Sequence, residues 1–232
     1  MNKKKRFTLD KMTFLLFTII PLVLYTFFYI ISVVSGMYYS LTDWNGLNPT
    51  FNFVGISNYI ALSKNIFMWR SLGRTLLYAL MLVVSVTIIS LLIALVLNSV
   101  KRFKVFTKSV FFFPAMLGSV AVALIWDQMF YQLIPALGRL AGINLQTPLA
   151  SSKTAIYGVL FVNVWQAVAM PTIILLAGLQ SIPEDLFESA MIDGASRWQS
   201  FRFITLPFLV PTLTVNMVLN LKAGITTFDY AF

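Results

Sequence analysis

Eight carboxylates, no histidine and no cysteine set the chemistry open to this sequence of 232 residues. Without a thiolate or an imidazole there is no Cys nucleophile and no His-dependent triad, and most zinc ligand sets are excluded. No G-x-x-x-x-G-K-[ST] loop is present to cradle a nucleotide phosphate. The acids are Asp10, Asp43, Asp127, Glu184, Asp185, Glu188, Asp193 and Asp229. Four of them crowd into 184–193, and they either form a recognition surface or simply solvate a loop. A second polar group lies inside apolar stretches: Ser119, Asn163, Trp165 and Gln166. Amides beside an indole suit the hydroxyls and ring faces of a sugar, because each amide both donates and accepts. Hydrogen bonding between helices is the competing reading of the same residues.

The elements that must position these groups follow from composition. Hydrophobic residues make up 59% of the chain and charged residues 11%. That leaves too little polar surface to cover the apolar mass in water, and it also excludes intrinsic disorder. A hydrocarbon core of about 30 Å needs roughly 20 apolar residues of helix. Five segments qualify: 14–39, 76–100, 110–126, 155–179 and 207–228. In lipid each must be helical to satisfy its own backbone. The predicted fold is therefore an all-α, polytopic membrane helical bundle with a basic N-terminal stretch over 1–13 and one membrane domain over 14–232. Pro21, Pro114, Pro171, Pro207 and Pro211 lie in or beside these spans, where they either kink a bundle that opens and closes or merely set ordinary bends.

The formal charge of +9 would suggest nucleic acid in a soluble protein. Its distribution points to topology instead. With the N-terminus inside, the inner segments hold eleven Lys or Arg, the outer segments five, and Lys222 lies within the last span. This bias favours a cytoplasmic N-terminus, so the expected surroundings are a lipid bilayer and no nucleic acid. Lys222 reads more as a snorkelling side chain than as a ligand, and Asp127 as a boundary residue. Tyr38, Tyr39 and Trp44 mark one outer interface and Trp126 and Tyr131 another.

The loop over 180–206 carries the most specific pattern. Ser181 with Glu184 and Ser196 with Gln199 both have the spacing of a capping box, and Pro183 falls in the first turn. Glu184 and Asp185 complement a helix N-terminus. Leu186, Phe187, Ala190 and Met191 form an amphipathic stripe, and Gly194 suits a left-handed helix end. The pattern predicts a short helix, a glycine turn and a second helix, with apolar and acidic residues exposed to a partner's groove.

Here the sequence resembles a known family. Glu188, Ser189, Ala190, then Gly194, then Ile204, Leu206 and Pro207 are spaced as in the EAA signature of the inner-membrane permeases of binding-protein-dependent ABC importers, with Ser189 in place of the usual second alanine. The stretch 176–183, Leu41-Thr42-Asp43-Trp44, the stretch 53–59 and Phe228-Asp229 are similar to the maltose and glycerol-3-phosphate type, or carbohydrate, branch. The resemblance implies that the loop is a coupling helix docking on an ABC ATPase dimer through Glu188, Ser189, Ala190, Asp193 and Gly194. It also implies a second homologous permease subunit and an extracytoplasmic solute-binding protein. ATP and its Mg would be held by the partner ATPase, with no cofactor, metal or catalytic residue in this chain. The expected location is the plasma or inner membrane. Members of this branch continue through a sixth span, and the sequence stops at Phe232 where that connection would begin. An autonomous channel or secondary transporter predicts ionisable residues at the middle of several spans, and a scaffold would leave the coupling loop without a purpose.

Overall fold

The computed structural model describes residues 3–99, 104–151 and 154–226. Lys101, Arg102, Lys153, Phe228 and Asp229 lie outside the described residues. The chain divides into two compact units, 1–71 and 72–232.

The first unit opens with α1 (Lys3–Tyr25), which passes through a five-residue π turn, Thr26–Ile30, into α2 (Ile31–Tyr39). Apolar side chains surround this helix on every face and all are exposed from Phe14 to Val34. Such an all-round apolar helix requires lipid or a protein core as its solvent. Past α2 the backbone forms a tight loop closed by the antiparallel bridge between Thr42 and Phe53. Asp43 fastens it. Its carboxylate accepts from the Asn52 N–H at 2.6 Å and the Asn52 side-chain amide at 3.2 Å. These bonds hold the Asp43 carboxyl below its ordinary pKa, with the Asn52 backbone N–H the larger cause. Trp44 lies 4.2 Å from Tyr39 between ring centroids, and Phe51 closes the cluster against Tyr38 and Tyr39. The short helix α3 (Ser57–Ser63) returns Asn58, whose amide donates to the carbonyls of Ser40 and Thr42.

The helix α4 (Ile66–Ser99) starts ten residues before the expected boundary at 76. From Leu72 onward it belongs to the second unit, which continues with α5 (Lys104–Met116), α6 (Ser119–Gln128) and α7 (Ile134–Leu140). The span expected over 110–126 is interrupted. The helix stops after Pro114, and Gly118 adopts an extended conformation before α6 begins. At thirteen residues α5 is about 20 Å long, too short to cross a bilayer. The qualifying helix runs instead over Ser119–Leu140, through a second π turn at Met129–Leu133. Ser119 is accordingly at a helix start rather than in the middle of a span.

The span expected over 155–179 is a bent pair, α8 (Ala155–Ala167) and α9 (Ala169–Gln180), with an angle of 44° between them. Pro171 sits in the first turn of α9 and has no N–H to give to the Ala167 carbonyl, which is where the bend falls. After α10 (Glu184–Ile192) and α11 (Arg197–Ser200), a third π turn at Phe201–Thr205 leads without a break into α12 (Leu206–Ile225). The final span therefore begins at Arg197, earlier than the expected 207, and its expected end at 228 lies outside the described residues. Among the described residues, four continuous helices, together with the bent pair, are long and apolar enough to cross a membrane.

One core cluster ties the second unit together. Ala94 and Leu97 of α4, Leu175, Leu176 and Leu179 of α9, Ile182 between α9 and α10, and Leu209 of α12 are all buried in it. A second cluster joins Tyr78, Leu82 and Val86 of α4 to Val164 of α8.

Candidate coupling loop and polar interior

The loop 181–196 is built by local backbone chemistry. Ser181 closes α9, and its hydroxyl donates to the Gly178 carbonyl at 2.8 Å. It does not cap α10, so the expected capping box with Glu184 does not form; Pro183, in extended conformation, precedes the first turn instead. Ser181 donates instead to a nearer carbonyl, in the last turn of its own helix. Glu184 and Asp185 do occupy the first turn of α10, where the helix dipole favours them.

The end of α10 is a Schellman motif. Gly194 has φ +75°, its N–H donates to the Met191 carbonyl at 3.1 Å, and the Ala195 N–H reaches the Ala190 carbonyl at 2.9 Å. A Cβ at 194 would meet open space, so the glycine is required by its backbone and not by packing. The second capping box forms as expected. Ser196 Oγ accepts from the Gln199 N–H at 3.3 Å, and Gln199 Oε1 accepts from the Ser196 N–H at 2.7 Å.

The apolar stripe of α10 is divided. Leu186 and Phe187 turn inward and pack against the cluster of α4, α9 and α12, which corrects the expectation that they face a partner. Ala190 is half-buried, and Glu188, Ser189, Asp193 and Gly194 are exposed. Met191 and Ile192 are the apolar residues presented outward, with Ile192 86% exposed. Trp198 and Phe203 are exposed beyond the turn. The loop thus has an apolar root fixed in the helical core and an outer surface of acids, small residues and two large aliphatic side chains.

The four polar residues singled out in the spans lie near α6 and α8. Asn163 is buried and donates to the Tyr78 hydroxyl at 2.8 Å. Gln166 is buried and donates to the Leu117 carbonyl at 2.7 Å, inside the break between α5 and α6. Both amides therefore bridge helices. Trp165 is half-buried, meets Trp126 at 5.5 Å edge to face, and lines an apolar cavity of about 360 Å³ with Phe111, Pro114 and Phe161. Ser119 is half-buried at the start of α6.

Other buried polar residues were missed by the sequence reading: Tyr78, Thr87 and Ser90 on α4, Thr172 on α9, and Asn216 and Asn220 on α12. The last two carry a legible signal, since two amides one turn apart in an apolar helix mark one polar face. Among the described residues, no group of three metal-ligating side chains occurs.

The described residues form a bent-helix membrane bundle that carries a helix–glycine–helix loop rooted in its core. The chain belongs to the binding-protein-dependent transport system inner membrane component family, whose model matches residues 86–230. It is a multi-pass membrane protein of that class. It is 41% identical over 218 residues to the multiple sugar-binding transport system permease protein MsmF of Streptococcus mutans, covering 93% of this chain and 75% of that one. It is 30% identical to the trehalose/maltose transport system permease protein MalF of Thermococcus litoralis, covering 92% and 74%. The fold matches a chain of a bacterial ABC transporter involved in import of the acidic polysaccharide alginate. That match has a TM-score of 0.78 at 22% identity and covers 96% of this chain and 77% of that one.

Proposed function

We propose that this chain is the permease subunit of an ATP-driven importer that moves a sugar or related solute delivered by an extracytoplasmic binding protein. The names of its relatives support a carbohydrate solute: besides those above, a probable starch degradation products permease of Thermoanaerobacterium thermosulfurigenes is 29% identical over 230 residues. The observation that carries the reading is the division of α10. Leu186 and Phe187 are rooted among α4, α9 and α12, while Glu188, Ser189, Asp193 and Ile192 face outward. A partner that grips the outer face can move the helical core through the root.

In this reading the N-terminus is cytoplasmic, in keeping with the Lys and Arg bias. The loop 180–206 docks on one subunit of an ABC ATPase dimer. Glu188 and Asp193 hydrogen-bond to groups of the ATPase, Ser189 and Ala190 keep the contact close, and Gly194 permits the turn. ATP and Mg reside on that partner. A second, homologous permease completes the pathway, and ATP-driven closure of the motor biases a two-state bundle. Ser119, Asn163, Trp165 and Gln166 are assigned to the solute path. Asn163 and Gln166 reach solute by exchanging their present bonds to Tyr78 and Leu117, while Ser119 and Trp165 retain exposed surface.

The test is Gly194→Val in the assembled transporter. A β-branched residue is strained at φ +75°. Membrane insertion should persist, co-purification of the ATPase should fall, and uptake should fall with it. Normal uptake and an intact complex would refute the coupling role.

A further inference from the structure

Asn216 and Asn220 lie one turn apart on α12 and are both buried, at 1% and 5% exposure. The Asn216 side-chain amide donates to the Pro171 carbonyl at 3.3 Å, long for such a bond and therefore weak. Among the described residues, Asn216 Oδ1, Asn220 Nδ2 and Thr87 Oγ1 have no hydrogen-bond partner. Three buried polar atoms left unpaired call for an explanation, because such atoms are costly.

The register of the helices supplies one. Gly178 of α9 stands against Leu209 of α12, and the Pro171 carbonyl meets Asn216. Each pair is separated from the other by seven residues along both helices, so α9 and α12 run antiparallel in constant register. On the other side of α12, Gly224 stands against Ala79 of α4. Asn216 is thus the rung in use on α9, and Asn220 is a second amide one turn away with its donor unspent.

We propose that α12 has two registers on α9, one turn apart, in which Asn216 or Asn220 alternately donates to the Pro171 carbonyl. A slide of about 6 Å toward the Leu206 end, four residues at helical rise, carries Asn220 to the place of Asn216. The same slide carries Leu213 to the place of Leu209 and draws Gly224 away from Ala79, so the close contact between those two residues belongs to the present register alone. Amide replaces amide and leucine replaces leucine, and Leu213 already packs against the shared core. One-turn jumps between packed elements are an established form of two-state switching, because close-packed interfaces are bistable rather than continuously deformable. The acceptor lies three residues past the 44° bend at Val168, so the register of α12 is coupled to the bent pair.

The proposal rests on reading the chain as an ATP-driven permease, and the test separates the two. The sequence has no cysteine, so introduced pairs report cleanly. In the assembled transporter in membranes, Gly178→Cys with Leu209→Cys reports the present register, and Gly178→Cys with Leu213→Cys the shifted one. Ile174→Cys with Leu213→Cys, or with Met217→Cys, repeats the comparison without altering the glycine. Each shifted pair should cross-link in one nucleotide state, resting or vanadate-trapped, and its unshifted counterpart in the other. Asn220→Leu should abolish the shifted cross-link and leave the unshifted one. If neither shifted pair cross-links in either state while uptake remains ATP-dependent, the two registers are refuted and the permease reading stands. Uptake that needs no ATP would refute the permease reading itself.

Discussion

Gly224 of α12 and Ala79 of α4 approach so closely that a Cβ on Gly224 would lie 2.8 Å from the Ala79 Cα and 3.0 Å from its Cβ. Neither neighbour is the end of a flexible side chain, so nothing there can yield cheaply. Gly224→Val should separate the two helices, with a loss of about 1–3 kcal/mol from overpacking. Thermal unfolding of the detergent-purified complex checks this; an unchanged midpoint would refute the close contact. Gly73, where a Cβ meets open space, is the matched control.

The bond between Asn163 and Tyr78 joins α8 to α4 across 85 residues of sequence. Tyr78→Phe removes the hydroxyl and keeps the ring, so it should cost about 1 kcal/mol and loosen Asn163. A double-mutant cycle with Asn163→Ala, read by unfolding in a fixed detergent, should show coupling between the two positions. Strict additivity would mean that the bond contributes nothing.

The carboxyl of Asp43 is held below its ordinary pKa by the Asn52 N–H and side-chain amide. The charged form is the one stabilised, so the loop is fastened at pH above the ordinary aspartate value near 4. The fastening is lost as pH falls through the lowered folded-state value. The hydrogen-exchange protection of the amides of 43–54, relative to an unfolded chain at the same pH, should fall in acid in the native chain. In Asp43→Asn, that acid-dependent step should disappear; an unaltered acid profile would refute the assignment.

Ser196 and Gln199 satisfy each other's backbone N–H groups at the start of α11. Ser196→Ala should cost about 1 kcal/mol locally. The expected readout is faster proteolysis within 193–200, with the membrane helices protected as before. Ser181→Ala should have no such effect on α10, since the Ser181 hydroxyl bonds back to Gly178.

Much of this was legible without coordinates because each signal is local. The αL conformation of Gly194 and the Ser196–Gln199 box depend on neighbours within a few residues. Ser181 was misread for a related reason: its spacing to Glu184 fits a cap, yet the end of α9 lay nearer and claimed the hydroxyl. The interruption at Gly118 was hidden because the stretches on both sides are predominantly apolar, and hydropathy does not register a backbone break. Asn163 and Gln166 were visible as polar residues, but their partners, Tyr78 and the Leu117 carbonyl, are remote in sequence.

By itself the sequence determined that the chain is helical and membrane-embedded, and that its candidate coupling loop turns at Gly194. These follow from composition, from the cost of unpaired backbone in lipid and from local capping chemistry. Only the tertiary structure decided that Leu186 and Phe187 root the loop in the core, that α8 and α9 meet at 44°, and that Asn216 engages Pro171 while Asn220 is left over. Those outcomes depend on which helix faces lie against one another, and helix packing is a relation between segments far apart in the chain that no local pattern records.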